Sequence, residues 1–411
     1  MEKQIIATLE IAGHEVRLLV GQFFNGRLNI LKVERVAHMG MDGYSIMSES
    51  IISEAIKKAI ENASRNLGVL ISQFILSVPV IHMKHLNKQI KVPINGRISH
   101  LDIKRAYQEV HRQDAPDGYV LGNVLFSRFI NGGMSSRKLP IGDKAESLVC
   151  DVDCYYLKQS IIFPYVSCVE ISGLGIIDIV IDDIALAKET SALEASVDRP
   201  VIAVNFNPGL VKYSLYYQGK LLSNDYVDRG MEQFTNIIKN TLRVPADVTH
   251  RLLYYNLNLN KDGLSEDPLF MWSSKAKTHT ISEQEIHDLV ANQMDYYLAE
   301  IVDRFSPVHN LGTPKVLLVG DVVSITGFKE NVEKYANCEV ESYISTTFGV
   351  KRSSLSSAVG AFYFYKDQEV FRDHTLSSVD EVSFKAAVLQ AEKNEDEESL
   401  TQKLKNMFIG R

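Results

Sequence analysis

Runs of alternating apolar and polar residues open the chain and predict β-strands. QIIATLEIAG, EVRLLVGQFF and RLNILKVERVA follow one another, and Asn25-Gly26 between the second and third is a strong hairpin signal. The period then becomes helical after Ser48, where IISEAIKKAIENASRNLG places its apolar residues on one face and stops at Gly68. FILSVPVIHMKHL returns as a strand. The pattern therefore predicts a β-β-β-α-β unit.

The same order of elements recurs about 200 residues later. VIAVNFN, VKYSLYYQG and KLLSNDYVDRG predict three strands with a turn at Gln218-Gly219, GMEQFTNIIKNTL predicts a helix, and PKVLLVGDVV predicts the returning strand. This duplication predicts an α/β chain with the actin-like (ribonuclease H-like) two-domain fold. In that fold two related domains flank a nucleotide cleft, and the first hairpin of each domain presents a phosphate loop.

Two further segments interrupt the units. A small α+β segment, here called the first insert, covers residues 82–160, and a helical segment, the second insert, covers residues 245–310. The helix of the second insert starts with a capping box at Ser282 and Glu285. The expected boundaries are 1–81 and 161–196 for the first domain, 197–244 and 311–366 for the second, 367–398 for a flexible linker, and 399–411 for an amphipathic helix.

Composition narrows the classes of function. The 411 residues are 45% apolar and carry a net charge of −7, which argues against a broad nucleic-acid surface. The N-terminus lacks the features of a secretory signal, and no stretch of about 18 apolar residues predicts a membrane span. The four cysteines form no C-x-x-C pair, so no metal site is predicted.

The chain resembles the FtsA family, the actin-like proteins that tie the bacterial division ring to the membrane. LEIAGHEVRLLVGQFFNGRLNILKV resembles the family's first phosphate hairpin, and the segment around SHLDIKRAYQEV stands where the family carries its distinctive inserted subdomain. ISEQEIHDLVANQMDYYLAEI and KVLLVGDVVSITGF resemble the late helix and the adenine-side loop. The resemblance implies ATP with Mg²⁺ in the cleft, FtsZ as a partner, self-association into filaments, and an amphipathic C-terminal helix.

The second phosphate hairpin departs from the family pattern. The family usually has Asp-Ile-Gly-Gly-Gly-Thr-Thr-Asp there, whereas this chain has NFNPGLVK from Asn205 to Lys212. Pro208 removes an amide donor, and Leu210 and Val211 supply no hydroxyl. Asn205 lacks the carboxylate charge that would organise Mg²⁺. Lys212 reverses the charge of the final acid, although a lysine is itself able to bind phosphate.

The other motifs that the resemblance places in the cleft also differ. The first loop, roughly Asp-Ile-Gly-Thr-Thr-Lys in the family, is EIAGHE here, and the Glu-x-x-Lys of the adenine-side helix is replaced by His250 and Leu253. The last glycine pair has become Gly320-Asp321, where the acid would repel phosphate or pair with His14 or Lys212.

These differences favour a degenerate nucleotide site without a catalytic residue. The alternative is a divergent site that binds ATP weakly through backbone donors. The residues of this remnant or weak site are Glu10, Gly13, His14, Asn205, Asn207, Gly209 and Gly320.

The C-terminal tail predicts a membrane contact. The acidic run EKNEDEE reads as solvated linker, and SLTQKLKNMFIGR then places apolar residues on one helical face with a basic rim. The expected membrane-binding residues are Leu400, Lys403, Leu404, Lys405, Met407, Phe408 and Ile409. A terminal helix docked on the protein's own surface is the alternative, but the resemblance favours the membrane.

These expectations combine into a function. The chain is expected to tether FtsZ to the cytoplasmic face of the bacterial cell membrane at the division site, with an FtsZ contact on the second insert. The alternatives are a nucleotide-binding actin-like ATPase of the division ring and a PilM-type adaptor of another envelope machine. No cofactor follows firmly from the sequence, although weakly bound ATP with Mg²⁺ stays open, as does enzyme activity.

Overall fold

The computed structural model of the chain describes residues 4–274, 277–372, 376–380 and 382. The first unit folds in the order that the periodicity predicts. Its elements are β1 (Gln4–Ala12), β2 (Glu15–Phe24), β3 (Arg27–Ala37), the short strands β4 (Met41–Asp42) and β5 (Ser45–Ile46), α1 (Glu49–Leu67) and β6 (Gln73–Val78).

The first insert is a sheet with one helix. It contains β7 (Lys84–Arg97), α2 (His100–Arg112), β8 (Tyr119–Asn131), β9 (Met134–Ser136) and β10 (Lys144–Lys158). The strands pair in the order β7-β10-β8-β9, all antiparallel. One face of β10 packs into a core with α2, whereas its other face carries the carboxylates Asp151 and Asp153.

The chain then completes the first domain and enters the second unit. The completing elements are α3 (Gln159–Ile171), β11 (Gly175–Ile181), α4 (Asp182–Thr190) and α5 (Ala192–Ala195). The second unit begins with β12 (Val201–Phe206), β13 (Val211–Tyr217), β14 (Lys220–Val227) and α6 (Glu232–Leu242).

The second insert and the rest of the second unit follow. They contain α7 (Ala246–Arg251), a π-helical turn (Leu252–Asn256), β15 (Pro268–Ser274), β16 (Lys277–Ser282), α8 (Glu283–Phe305), β17 (Lys315–Val319), α9 (Phe328–Ala336), β18 (Glu339–Ser342) and α10 (Ser356–Gln368). A short 3₁₀ turn, Glu369–Phe371, ends the last helix.

The two five-stranded sheets have the same topology. The first has the order β3-β2-β1-β6-β11 and the second the order β14-β13-β12-β17-β18, each with an antiparallel meander followed by parallel strands. The duplication expected from the sequence is therefore present in the structure.

Local chemistry explains several boundaries. Asn25-Gly26 and Gln218-Gly219 both have positive φ values (52° and 75°, then 55° and 75°), as a two-residue hairpin turn requires. Gly68 ends α1 in the left-handed conformation with φ of 68°. At Ser282 the side chain accepts a hydrogen bond from Glu285 N at 3.2 Å, and the Glu285 carboxylate accepts one from Ser282 N at 2.8 Å, so the expected capping box is present.

Helices α4 and α10 pack against each other beside the first sheet. A Cβ atom at Gly360 of α10 would lie 1.7 Å from the carbonyl oxygen of Ala185 in α4, so only glycine permits this approach. The crossing fixes the direction of α4, whose first two residues, Asp182 and Asp183, are thereby held at the junction of the two domains.

Two expectations differ from the structure. The second insert, expected to be helical, also contains the hairpin of β15 and β16, because alternation in PLFMWSS and KTHTIS favours strands. The segment 367–398, expected to be a flexible linker, is ordered at its start: α10 extends to Gln368, and Ser378 and Val379 are buried. The acidic run and the helix expected at 399–411 lie outside the described residues.

Candidate functional site

The bend between β12 and β13 turns its carbonyl groups toward the start of α6. Asn207 N donates to Leu210 O at 2.9 Å, and the amides of Met231 and Glu232 donate to Asn207 O at 3.1 Å and to Pro208 O at 2.7 Å. Free amides at the start of a helix are the usual donors to a bound phosphate. Here two amides at the start of α6 bind the chain's own bend instead.

Gly230 makes this contact between bend and helix possible. A Cβ atom at Gly230 would lie 2.3 Å from the carbonyl oxygens of both Asn207 and Pro208. At Gly209, on the tip of the bend, an added Cβ would meet no atom within 4 Å. The tip therefore borders open space, while its base is fixed against the helix.

Lys212 is a buried counter-ion between the two domains. Its side chain is 2% exposed, and Nζ lies 2.5 Å from Asp182 Oδ1 and 2.9 Å from Asp183 Oδ2. Asp182 and Asp183 begin α4 in the first domain, whereas Lys212 lies on β13 in the second. Of the alternatives for Asp321, pairing with Lys212 is not the one found, because the Lys212 ammonium group is enclosed by Asp182 and Asp183.

The same cluster includes further polar groups of β13 and polar groups from two other segments. Asp183 accepts hydrogen bonds from Ser214 Oγ and Asn224 Nδ2, both at 2.6 Å, and its carbonyl oxygen accepts one from Tyr216 OH at 2.7 Å. Asn224 Nδ2 also donates to the carbonyl oxygen of Val80 at 2.5 Å. The cluster thus ties α4 and the segment after β6 to β13 and β14 of the second domain.

Charge is not balanced in this cluster, since two carboxylates face one ammonium group. Burial raises the pKa of Asp182 to about 7, and the charge of Asp183 adds to the rise against the opposing attraction of Lys212. Burial alone would lower the pKa of Lys212, but the two carboxylates raise it above its ordinary value. Lys212 is therefore charged at neutral pH, while Asp182 holds a proton for part of the time.

A second internal ion-pair cluster occupies the first hairpin. Arg17, which is 2% exposed, donates to Glu10 at 3.2 Å, to Glu15 at 2.7 Å and to the carbonyl oxygen of Ser354 at 2.8 Å. Arg35 adds two bonds to Glu15 at 2.7 and 2.8 Å. Burial alone would raise the pKa of Glu15, but the guanidinium groups of Arg17 and Arg35 lower it to about 2. Both arginines are therefore engaged with the protein's own acids.

His14 contributes no positive charge at neutral pH. It lies in the turn between β1 and β2, where its carbonyl oxygen accepts a hydrogen bond from His38 N at 2.9 Å. Its position inside the cleft lowers the pKa of the imidazole, and the nearby guanidinium groups of Arg17 and Arg35 add to the effect, against the attraction of Glu15. The expected pairing of Asp321 with His14 is also absent among the described contacts.

A cavity of about 310 Å³ lies between the two hairpins, where a phosphate loop pair would face its ligand. Its wall includes six of the seven candidate residues: Glu10, Gly13, His14, Asn205, Asn207 and Gly209. Five acidic residues are among those that line it: Glu10, Asp42, Asp182, Asp228 and Glu232. No lysine or arginine is among the described residues that line it. A polyphosphate in this cavity would meet negative charge without a fixed cation.

A larger cavity of about 750 Å³ continues beside it, and its lining residues include the cations Arg17, Arg35, Lys239, Arg251 and Arg352. Asp321 lines this cavity, where it accepts a hydrogen bond from Ser354 Oγ at 2.7 Å and lies 3.4 Å from Arg352 and 3.9 Å from His250. His250 borders the cavity, as the alignment with the adenine-side helix implied, but Leu253 is fully buried in the core.

The remaining candidate, Gly320, is a structural glycine. Its φ is 105°, and an added Cβ would lie 2.5 Å from the carbonyl oxygen of Phe206 at the end of β12. It borders neither of the two cavities. Its role in the structure is to let β17 end close to the bend.

Sequence reasoning missed the partners that neutralise the two hairpins. Arg17 lies in an otherwise apolar strand, and Asp182 and Asp183 belong to none of the motifs expected in the cleft. A signal existed, because IVIDDIALA places two acids directly after a buried strand, and such acids need a partner.

Neither a metal-binding cluster nor a membrane-spanning helix occurs in the part of the chain that the structure describes. Over the described ranges, no group of three or more His, Cys, Asp or Glu side chains is arranged to hold a metal ion. No helix in the same ranges is long and apolar enough to span a bilayer. The expected membrane-binding residues all lie outside the described residues: Leu400, Lys403, Leu404, Lys405, Met407, Phe408 and Ile409.

Comparison with curated proteins gives relatives that share one name, cell division protein FtsA, at low sequence identity. No family model matches the chain. It is 20% identical over 412 residues to the cell division protein FtsA of Staphylococcus epidermidis, covering 97% of this chain and 87% of that protein. It is also 20% identical to FtsA of Bacillus subtilis, over 88% of this chain and 83% of that protein.

A solved structure supports the fold. A chain of the PilM–PilN type IV pilus biogenesis complex superposes with a TM-score of 0.53 at 12% identity, covering 87% of this chain and 97% of that chain. At this identity the likeness shows the fold and not the function. Together with the duplicated topology, it establishes the actin-like fold.

Proposed function

This chain is a divergent homologue of the actin-like cell division protein FtsA, and from that premise we propose that it tethers FtsZ filaments to the cytoplasmic membrane without using ATP. The tether has three parts. An FtsZ contact lies on the second insert, a C-terminal amphipathic helix binds the anionic membrane surface, and the globular body between them associates side by side with further copies.

The charge of the cleft supports the absence of ATP. Five carboxylates and no described lysine or arginine line the cavity between the hairpins. Lys212 and Arg17, one on each hairpin, are buried against the protein's own acids. A polyphosphate could use either of these two cations only by breaking buried ion pairs, and each broken pair costs about 3–5 kcal/mol.

The second hairpin also argues against the alternative function, an actin-like ATPase. An actin-like ATPase needs a carboxylate on the second hairpin that organises Mg²⁺ or the attacking water. Asn205 stands at the start of the bend, and its side-chain oxygen is buried without a hydrogen-bond partner among the described residues.

The second insert offers a place for a short peptide. A shallow cavity of about 340 Å³ lies between α6, β16 and α8, lined in part by Leu242, Ile281 and Leu289. It combines apolar walls with the polar ends of Glu285 and Asp288. The FtsA resemblance places the FtsZ contact on this insert, with α8 as one element, and we expect micromolar affinity, as is usual for small transient interfaces.

Reconstitution tests the whole proposal. FtsZ polymerised with GTP is mixed with anionic vesicles and this chain, with no ATP present, and the vesicles are sedimented. We expect FtsZ to sediment only when the chain is present. A variant that lacks residues 399–411 is expected to bind FtsZ in solution but to leave it in the supernatant. A chain that binds vesicles yet recruits no FtsZ contradicts the division role and favours an adaptor of another envelope machine.

A further inference from the structure

The chain that leads to the C-terminal tail is fixed at two separate places on the globular body. After α10, Phe371 reaches the first insert, and residues 376–379 then contact the first sheet. Residues 369–372 and 376–379 are called the strap below.

The first attachment is an aromatic stack. The Phe371 ring lies 4.7 Å from the Phe126 ring of β8, with 10° between the planes, and 5.5 Å from the Tyr107 ring of α2, with 19° between the planes. The next residue, Arg372, donates a hydrogen bond to Asp178 on β11 and lies over the Tyr365 ring. One end of the strap therefore contacts a helix and a strand of the first insert together with the first domain.

The second attachment is a clamp of hydrogen bonds. Ser378, which is fully buried, accepts from Ala7 N at 2.7 Å through its hydroxyl, donates from its amide to Ile5 O at 2.9 Å, and accepts from Ser72 N at 3.1 Å. Beside it, Gln73 Nε2 donates to the carbonyl oxygen of Ser377 at 2.7 Å. These bonds hold the strap at the beginnings of β1 and β6.

The two attachments are connected by a few residues and by one side chain. Tyr365 OH accepts from Leu376 N at 3.0 Å and donates to Leu376 O at 3.2 Å, while the face of its ring supports Arg372. A displacement of the clamp therefore acts on the Tyr365–Arg372 pair, and Phe371 is the neighbour of Arg372.

We propose that the strap couples the clamp at Ser378, which precedes the C-terminal tail in the chain, to the position of the first insert. Loss of the clamp at Ser378 loosens the Phe371 stack, and the insert becomes freer to move against the first domain. The coupling gives membrane attachment a route to the insert; this last step rests on the proposed function, in which the tail binds the membrane.

Hydrogen exchange of the full chain in solution tests the coupling without vesicles or FtsZ. We expect Ser378→Ala to speed amide exchange in α2 and β8 by roughly two- to tenfold, the range expected for losing a partner of an aromatic stack. Phe371→Ala alone gives a similar increase. The double variant shows no further increase in α2 and β8, because the stack through which the clamp acts is already lost.

Matched controls and a milder variant keep the test decisive. Ser196→Ala removes a fully buried hydroxyl that donates to Leu193 O at 2.8 Å, and Phe270→Ala removes a ring from the second insert, stacked on Trp272. Neither is expected to alter exchange in α2 or β8. Gln73→Ala weakens the same clamp and is expected to give a smaller increase there.

Two outcomes overturn the coupling. One is that Ser378→Ala or Gln73→Ala speeds amide exchange only in β1, β6 and residues 376–380. The other is that the increases in amide exchange of α2 and β8 caused by Ser378→Ala and by Phe371→Ala add up in the double variant. Failure of the wild-type chain to bind anionic vesicles would instead contradict the membrane role and leave the exchange result standing.

Discussion

Lys212 and Arg17 are buried cations, one on each hairpin, and both are held by the protein's own acids. Each is 2% exposed and lies between two carboxylates, Lys212 between Asp182 and Asp183 and Arg17 between Glu10 and Glu15. A buried charge that loses its partner is strongly destabilising. These residues are therefore structural ions, and their charges are unavailable to phosphate.

Removing the ammonium group of Lys212 tests this role. We expect Lys212→Met to lower the free energy of unfolding by about 3–5 kcal/mol, because it leaves Asp182 and Asp183 buried without a cation. Urea unfolding followed by circular dichroism measures the change. Lys239→Met, at an exposed position on α6, is the control and should stay within about 0.5 kcal/mol of the wild type. If Lys212→Met lowered the free energy of unfolding only slightly, the ammonium group would not be the buried counter-ion of Asp182 and Asp183.

The pH dependence of stability tests the imbalance of the cluster. The pKa of Asp182 is raised from 3.8 to about 7, so the folded state binds this proton more tightly than the unfolded state does. The contribution of Asp182 to stability is therefore present below pH 4 and is lost as the pH rises through about 7. We expect Asp182→Asn, which stays neutral, to remove this fall.

Comparison of the wild type with Asp182→Asn separates the contribution of Asp182 to the pH dependence of stability from the contributions of other acids. Glu15, with its pKa lowered to about 2, stabilises the fold above pH 4.5 and does so equally in both proteins. The difference in unfolding free energy between Asp182→Asn and the wild type should therefore grow in favour of the variant between pH 5 and pH 8. A difference that is constant over this range, or that grows in the other direction, contradicts the raised pKa.

At the scale of elements, the start of α6 shows how a phosphate-binding arrangement is filled by its own chain. The amides of Met231 and Glu232 bind the carbonyl oxygens of Asn207 and Pro208, and Gly230 allows the close approach. The order of elements is that of the actin-like fold. Two amide donors at the start of α6 are, however, already bonded to the chain's own bend.

The C-terminal helix is the element on which the proposed membrane contact depends. We expect Leu404→Asp combined with Phe408→Asp to abolish co-sedimentation with anionic vesicles, because two charges would enter the apolar face. The described body should unfold at the same urea concentration as the wild type. Lys403→Ala with Lys405→Ala is a comparison that should weaken binding only partly, since each basic residue near an anionic surface contributes about 1 kcal/mol. Undiminished sedimentation of the Leu404–Phe408 variant would refute the anchor.

Periodicity and turn chemistry predict elements well and their partners poorly. The meander with Asn25-Gly26, α1 with its stop at Gly68, and the capping box at Ser282 follow from local rules and are present. The pairing of Lys212 with Asp182 joins residues 30 positions apart across two domains, and Arg17 reaches Ser354 across 337 positions. Such contacts depend on how α4 and α10 cross, which no local pattern encodes.

On the scale of the whole molecule, the two domains are joined where a nucleotide would otherwise bridge them. The Lys212 cluster ties α4 to the second hairpin, and Ser354 ties the start of α10 to both Arg17 and Asp321. We infer that these contacts hold the cleft in one arrangement, so that neither FtsZ binding nor self-association requires ATP. The strap adds a third connection, from the first sheet to the first insert.

Calorimetric titration of the chain with Mg-ATP tests this account most directly. Loss of two or three charge-assisted hydrogen bonds, at about 2 kcal/mol each, should weaken binding by roughly 4–6 kcal/mol, which converts a micromolar site into a millimolar or weaker one. We expect no saturable heat with about millimolar Mg-ATP, no rise in melting temperature, and no hydrolysis above background. Gly209→Val is the matched variant, because a Cβ at Gly209 meets no atom within 4 Å and the side chain would enter the cavity. Micromolar binding of Mg-ATP that Gly209→Val abolishes would contradict the account and restore a working nucleotide site.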